Sequence, residues 1–258
     1  MAEGRNVPLT ADALLWLLPP AVLLTATLSG VFGMGGGMVL IGLLAQVLSV
    51  PEAMVLHGTI QLASNGSRCI LLLPHVRWRI CGFYLTGALI GVVVCVALDL
   101  VVSRTVLFLL LGGVPLIAAL IRTPPGFSAT RPLAAVACGV VVTGAQVVAG
   151  VSGPLLDVFF VKSDLDRRQI VGTKAITQCV GHTLKLVYFV PHLARLETPS
   201  RIDGRTLLVG IACAFVGTCV GRRLLERLSE GRFRHWSTAL ASLLAILFLL
   251  RGVGGLLA

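Results

Sequence analysis

Apolar residues along this chain run in blocks long enough to cross a bilayer, and polar residues fall mostly in the short gaps between them. The blocks cover roughly 12–32, 52–73, 80–100, 103–121, 131–150, 168–190, 204–222 and 236–256. At about 1.5 Å of rise per residue, twenty residues cross the roughly 30 Å hydrocarbon layer. The pattern predicts an all-α fold, a polytopic bundle of transmembrane helices. Two interruptions break it: GVFGMGGGMVLIG (30–42) and AGVSGP (149–154). Glycine in a helix interior costs roughly 1 kcal/mol relative to alanine, so these clusters mark glycine-broken helices. After the first break a helix is expected over Met38–Val50, and after the second a return segment reaching about 162.

Polar residues inside the blocks are also patterned. In HGTIQLASNGSR (57–68), His57, Gln61, Ser64, Asn65 and Arg68 recur at spacings of three and four, and so share one helical face. In KAITQCVGHTLK (174–185), Lys174, Gln178, Gly181, His182 and Lys185 do the same. Adding 117 to the first-half numbers superposes both features. Gly33 falls on Gly150, Gly36 on Gly153 and Gly37 on Pro154, while His57 falls on Lys174, Gln61 on Gln178, Asn65 on His182 and Arg68 on Lys185. A break and a stripe sharing one register predict two repeats, 1–121 and 131–258, within a single membrane domain.

Composition agrees, with 56% hydrophobic and only 12% charged residues, against about 25% charged in an average soluble domain. The net charge of +10 sits mainly in loops. RRLLERLSEGRFR (222–234) holds five arginines against two glutamates, and KSDLDRR (162–168) and PHVRWR (74–79) are also basic. Such loops orient a membrane protein, and no nucleic-acid partner is expected. With these loops cytoplasmic, 131–162 must begin and end inside and 12–50 outside, which turns the second repeat upside down relative to the first. The connection 191–205 then lies outside despite its three arginines, partly offset by Glu197 and Asp203. This is the inverted-repeat plan of many secondary transporters, whose sites form at interrupted helices. A single Arg5 beside Glu3 and Asp12 does not predict a cleaved signal peptide. The seven cysteines form no CxxC pair, so neither a metal site nor a disulfide framework is expected, and no cofactor is implied.

Irregular backbone at membrane depth must be buried in protein or line a cavity, and a helix N-terminus there attracts anions. Candidate substrate-binding groups are therefore Gly35, Gly36, Gly37, Ser152 and Gly153, with Pro154 suited to a first helical turn. Gln61, Asn65 and Gln178 supply neutral hydrogen bonds, and Arg68, Lys174 and Lys185 supply positive potential. His182 is the group whose charge can change near neutral pH, which makes protons the candidate coupling ion. Asp157 is the nearby acid available to pair with a lysine. The balance points to a small anionic substrate moved across a lipid bilayer.

Two other readings compete. GVSG (150–153) fits the serine turn of rhomboid-like intramembrane proteases, with Ser152 and His182 as the dyad. That reading leaves the first half's matching break and stripe without a role. A membrane scaffold that transports nothing would need no cations in its interior.

GMGGGMVLIGLL (33–44) and GVSGPLLDVFFVKSDLDRRQIVGTKAITQ (150–178) resemble the sulfite exporter TauE/SafE family, also described as the four-toluene-sulfonate uptake permease family. The resemblance runs through both halves. It implies a multi-spanning transporter of sulfur-containing anions such as sulfite or sulfonates, not an enzyme. The family's turns correspond to Gly33, Gly35, Gly36 and Gly37, and to Gly150, Gly153 and Pro154; Ser152 stands where a glycine is common. The combined reading is a secondary transporter of the bacterial inner membrane working by alternating access.

Overall fold

The computed structural model describes residues 11–32, 35–123, 127–225 and 230–257. Among the described residues the chain is entirely helical, apart from turns and connections. The helices are α1 (Ala11–Phe32), α2 (Gly35–Val47), α3 (Val50–Leu72), α4 (Trp78–Ala97), α5 (Arg104–Leu120), α6 (Pro132–Ala149), α7 (Gly153–Phe160), α8 (Arg167–Leu193), α9 (Gly204–Leu225) and α10 (Glu230–Leu257). α1, α4, α6, α9 and α10 contain stretches long and apolar enough to cross a membrane. α3 and α8 have the length, at 23 and 27 residues, but carry the polar stripes. α2 and α7, at 13 and 8 residues, reach only about 20 and 12 Å and return partway. Exposed Leu89, Ile90, Val93, Leu247 and Leu250 turn an apolar surface outward, as a bilayer requires. The protein is a multi-pass helical membrane bundle.

Local chemistry sets the helix ends. Ser49 and Glu52 form a reciprocal capping box at the start of α3, with Pro51 in the first turn. Asp166 accepts from the Arg168 and Gln169 N–H groups to start α8. At the start of α9, the backbone N–H and then the hydroxyl of Thr206 bond the Asp203 carboxylate and hold it below the usual range. α6 ends at Gly150, whose φ of 73° is left-handed. The helix after the first break starts at Gly35 and ends at Val47, three residues earlier at each end than the expected Met38–Val50. Gly35, Gly36 and Gly37 thus belong to its first turn, where unpaired N–H groups occur in any helix. The expected break residue Gly33 lies outside the described residues, as does part of the basic 222–234 loop.

Glycine contacts give the helix directions. Gly87 of α4 sits against Val136 and Gly91 against Val140, so α4 and α6 run the same way. Gly217 of α9 meets Ala26 and Gly221 meets Gly30, so α1 and α9 also run the same way. By contrast Gly58 of α3 faces Leu186 while Gly172 of α8 faces Leu72, an antiparallel crossing. α5 and α10 are antiparallel as well, with Gly112 against Ala245 and Gly255 against Thr105. α3 packs on α9 and α8 on α4; α2 touches α10 and α7 touches α5.

Each end of the bundle is tied across the chain. At one end Arg104 donates to the Gln46 and Leu48 carbonyls, at 3.4 and 3.1 Å. There too the Arg201 N–H donates to Glu52 at 2.7 Å, and His192 and Arg195 meet Asp99. At the other end the Ala129 N–H donates to the Phe159 carbonyl at 2.8 Å, and the Arg77 N–H to Thr173 Oγ1 at 3.0 Å. The segment through α6 and α7 therefore begins and ends at one face of the bundle. The segment through α1 and α2 begins and ends at the opposite face.

Candidate functional site

The two breaks meet. Gly37 and Met38 in the first turn of α2, and Gly150 to Pro154 between α6 and α7, border one cavity with the inner faces of α3 and α8. It encloses about 360 Å³ of atom-free space, its open mouth included. From the first stripe Gln61, Asn65 and Arg68 line it, and from the second Gln178 and His182. Ser152, Gly153 and Pro154 complete the group that sequence spacing selected. The stripes share this cavity because α3 and α8 cross with their polar faces toward each other. No carboxylate is among the described residues that line it.

Arg68 is the cation of this wall. Its Nη2 lies 3.4 Å from Ser64 Oγ, its Nε is buried without a partner, and no ion pair to an acid forms among the described residues. Ser64 Oγ is itself 2.8 Å from Thr218 Oγ1 of α9, which steadies this side of the cavity. First turns of two helices, with their partial positive charge, adjoin the same space. Donors and positive potential without an acid are what a small anion needs.

Four selected residues lie outside the lining. Gly35 faces Leu240 of α10, and Gly36 is pressed against the Thr25 carbonyl and Ser29 of α1, so both serve helix packing. Lys185 is fully buried rather than interfacial, and its Nζ donates to His57 Nδ1 at 2.7 Å. His57 Nε2 in turn donates to the Gly37 carbonyl at 3.0 Å, since a carbonyl only accepts. This chain ties α8 through α3 to the first turn of α2. Lys174 is paired with Asp157 of α7, which offsets the positive potential expected from it.

That pair is partly exposed, at 21% and 34%, and surface-like pairs are worth up to about 1 kcal/mol. Lys174→Gln is therefore expected to keep anion flux within a few-fold of wild type. In thermal unfolding, a double-mutant cycle with Asp157→Asn should give a coupling of about 1 kcal/mol or less. Flux abolished by Lys174→Gln in folded protein would show that the lysine reaches the substrate.

His57, Gln146 and Gly150 also line the cavity, although none of them was among the candidate binding groups. His57 was visible in its stripe, whereas the signal that could have found Gln146 is an amide in a largely apolar helix, four residues before the break. Gln146 Nε2 donates to the Gly150 carbonyl at 2.9 Å, and Ser152 Oγ donates to Gln146 Oε1 at 2.5 Å. The Ser152 hydroxyl proton is thus directed to Gln146 and not to His182, an arrangement that does not favour the protease reading.

Fold and cavity together define a polytopic helical membrane protein with a donor-lined interior site that holds no acid among the described residues. A family model described as Sulfite exporter TauE/SafE matches residues 18–248, spanning both breaks and both stripes, and the chain belongs to this family of membrane transporters. No curated protein and no solved structure gives a match.

Proposed function

We propose that the protein is a secondary transporter of small sulfur-containing anions, sulfite or sulfonates, in the bacterial inner membrane. The observation that carries this reading is Arg68: a guanidinium with a buried, unpartnered Nε, in a cavity bordered by two helix starts and, among the described residues, no acid. Gln61, Asn65, Gln178 and His182 would supply further hydrogen bonds to the anion.

We further propose that its halves are inverted repeats working by alternating access. Supporting this, elements of one half pack as their counterparts in chain order in the other half do: α4 on α6 as α9 on α1, and α2 on α10 as α7 on α5. Counterparts α3 and α8 cross antiparallel, as do α5 and α10. An axis exchanging antiparallel counterparts lies across the helices, in the membrane plane. Basic loops at 74–79 and 162–168 make the end they occupy cytoplasmic.

The test is flux of labelled sulfite, taurine-like sulfonates and arylsulfonates in proteoliposomes, with internal pH recorded. Saturable flux of at least one of these is the expected result. No flux for any sulfur anion would remove the substrate class. A pH-independent flux, or a His182→Gln variant with an unaltered pH profile, would remove proton coupling through His182.

A further inference from the structure

The amide of Gln146 is where three separate parts of the site converge. It is only 2% exposed, on α6. The Gly150 carbonyl fixes its orientation, because the atom 2.9 Å away must be a donor and is therefore Nε2. Oε1 then faces Ser152 and accepts its hydroxyl. The remaining direction from Nε2 leads to His182 Nδ1 at 3.3 Å. A ring nitrogen meeting an amide N–H must accept, and in a neutral imidazole the proton then sits on Nε2. A doubly protonated ring would set two N–H groups against each other.

We propose that Gln146 is a positioning residue that holds His182 as an Nε2–H donor toward the anion cavity, while joining the second break to α8. The inference rests on the anion-transport reading for its purpose. Its geometry is separate: the break contributes the carbonyl of Gly150 and the hydroxyl of Ser152, α8 contributes the imidazole, and one amide satisfies all three. His182 packs edge-on against His57, ring centroids 5.6 Å apart, so both stripes are adjoined to this amide. A residue that merely filled space would leave the imidazole free to carry its proton on either nitrogen.

Solid-state nitrogen NMR of [15N]histidine-labelled protein in lipid near neutral pH reads this directly, the His182 signals being assigned by their loss in His182→Gln. Wild type is expected to show a protonated Nε2 and a bare Nδ1. In Gln146→Leu, both tautomers are expected to appear, with KM for the transported anion raised about tenfold, the scale of one hydrogen bond to a charged group, and kcat changed less. A wild-type His182 protonated on Nδ1 overturns the proposal without any variant, so a Gln146→Leu protein that fails to fold does not shield it. Unchanged His182 signals in folded Gln146→Leu overturn it too. Absent flux in wild type would defeat the transport reading alone, because the tautomer measurement needs no substrate.

Discussion

Arg68→Gln is expected to cut saturable anion flux about 100-fold, a loss of roughly 2.7 kcal/mol, in protein that remains folded. The reason is an imbalance visible in the wall of the cavity. Arg68 Nε is buried without a partner, and among the described residues only one weak hydrogen bond, to Ser64, engages the guanidinium. A buried charge without a counter-ion is costly to the fold, so a residue held this way is explained by what arrives to pair with it. Removing the charge relieves that cost. Arg68→Gln should therefore unfold at the same temperature as wild type or higher, the signature of a residue kept for function. Arg68→Lys keeps the charge but not the planar fork, and should fall between the two. Flux measured against substrate concentration, with thermal unfolding on the same samples, decides it. Flux within threefold of wild type, or a loss matched by unfolding, would remove Arg68 from the binding site.

The second large effect concerns the fold. Gly139→Leu is expected to cost at least about 3 kcal/mol and to abolish recovery of folded protein, whereas Gly144→Leu, on the same helix, should be neutral or slightly stabilising. A carbon placed on Gly139 would strike the Tyr84 carbonyl and lie 2.7 Å from the Ala88 nitrogen of α4. Those are backbone atoms, which cannot rotate aside. Gly144 has nothing within 4 Å in that direction. Both substitutions change helix propensity and hydrophobicity identically, so a difference between them isolates the α4 and α6 contact. The same close approach recurs where Gly217 and Gly221 of α9 meet α1. Equal stability of the two variants would mean that this packing does not hold the bundle together.

The helices themselves were legible from the chain. The eight apolar blocks return as α1, α3, α4, α5, α6, α8, α9 and α10, and only the start of α10 at Glu230 lies more than three residues from expectation. Block length is dictated by the bilayer, and the capping groups at Ser49 and Asp166 act within one turn, so both are local properties. The stripes were legible for the same reason: residues three and four apart must share a face, so Gln61, Asn65 and Arg68 on α3 could be grouped before α8 was placed.

What a helical face looks at is not local. Lys174, Gln178, His182 and Lys185 share one stripe, yet α8 is long enough to pass several neighbours along its length. Gln178 and His182 fall at the cavity, Lys174 falls beside Asp157 on α7, and Lys185 falls against His57 on α3. The glycines divide likewise, Gly37 bordering the cavity while Gly36 packs on α1, because successive residues of a helix turn by about 100°. Gln146 gave only the weak signal of an amide in an apolar helix, and its part in the site depends on α8 bringing His182 within reach. Hydrophobicity, periodicity and the cost of glycine act within a few residues, so the chain alone specifies a helical membrane protein, its breaks and its polar faces. Which charges are already paired and which, like Arg68, are left facing the cavity is settled by how helices far apart in the chain cross, and that no local pattern encodes.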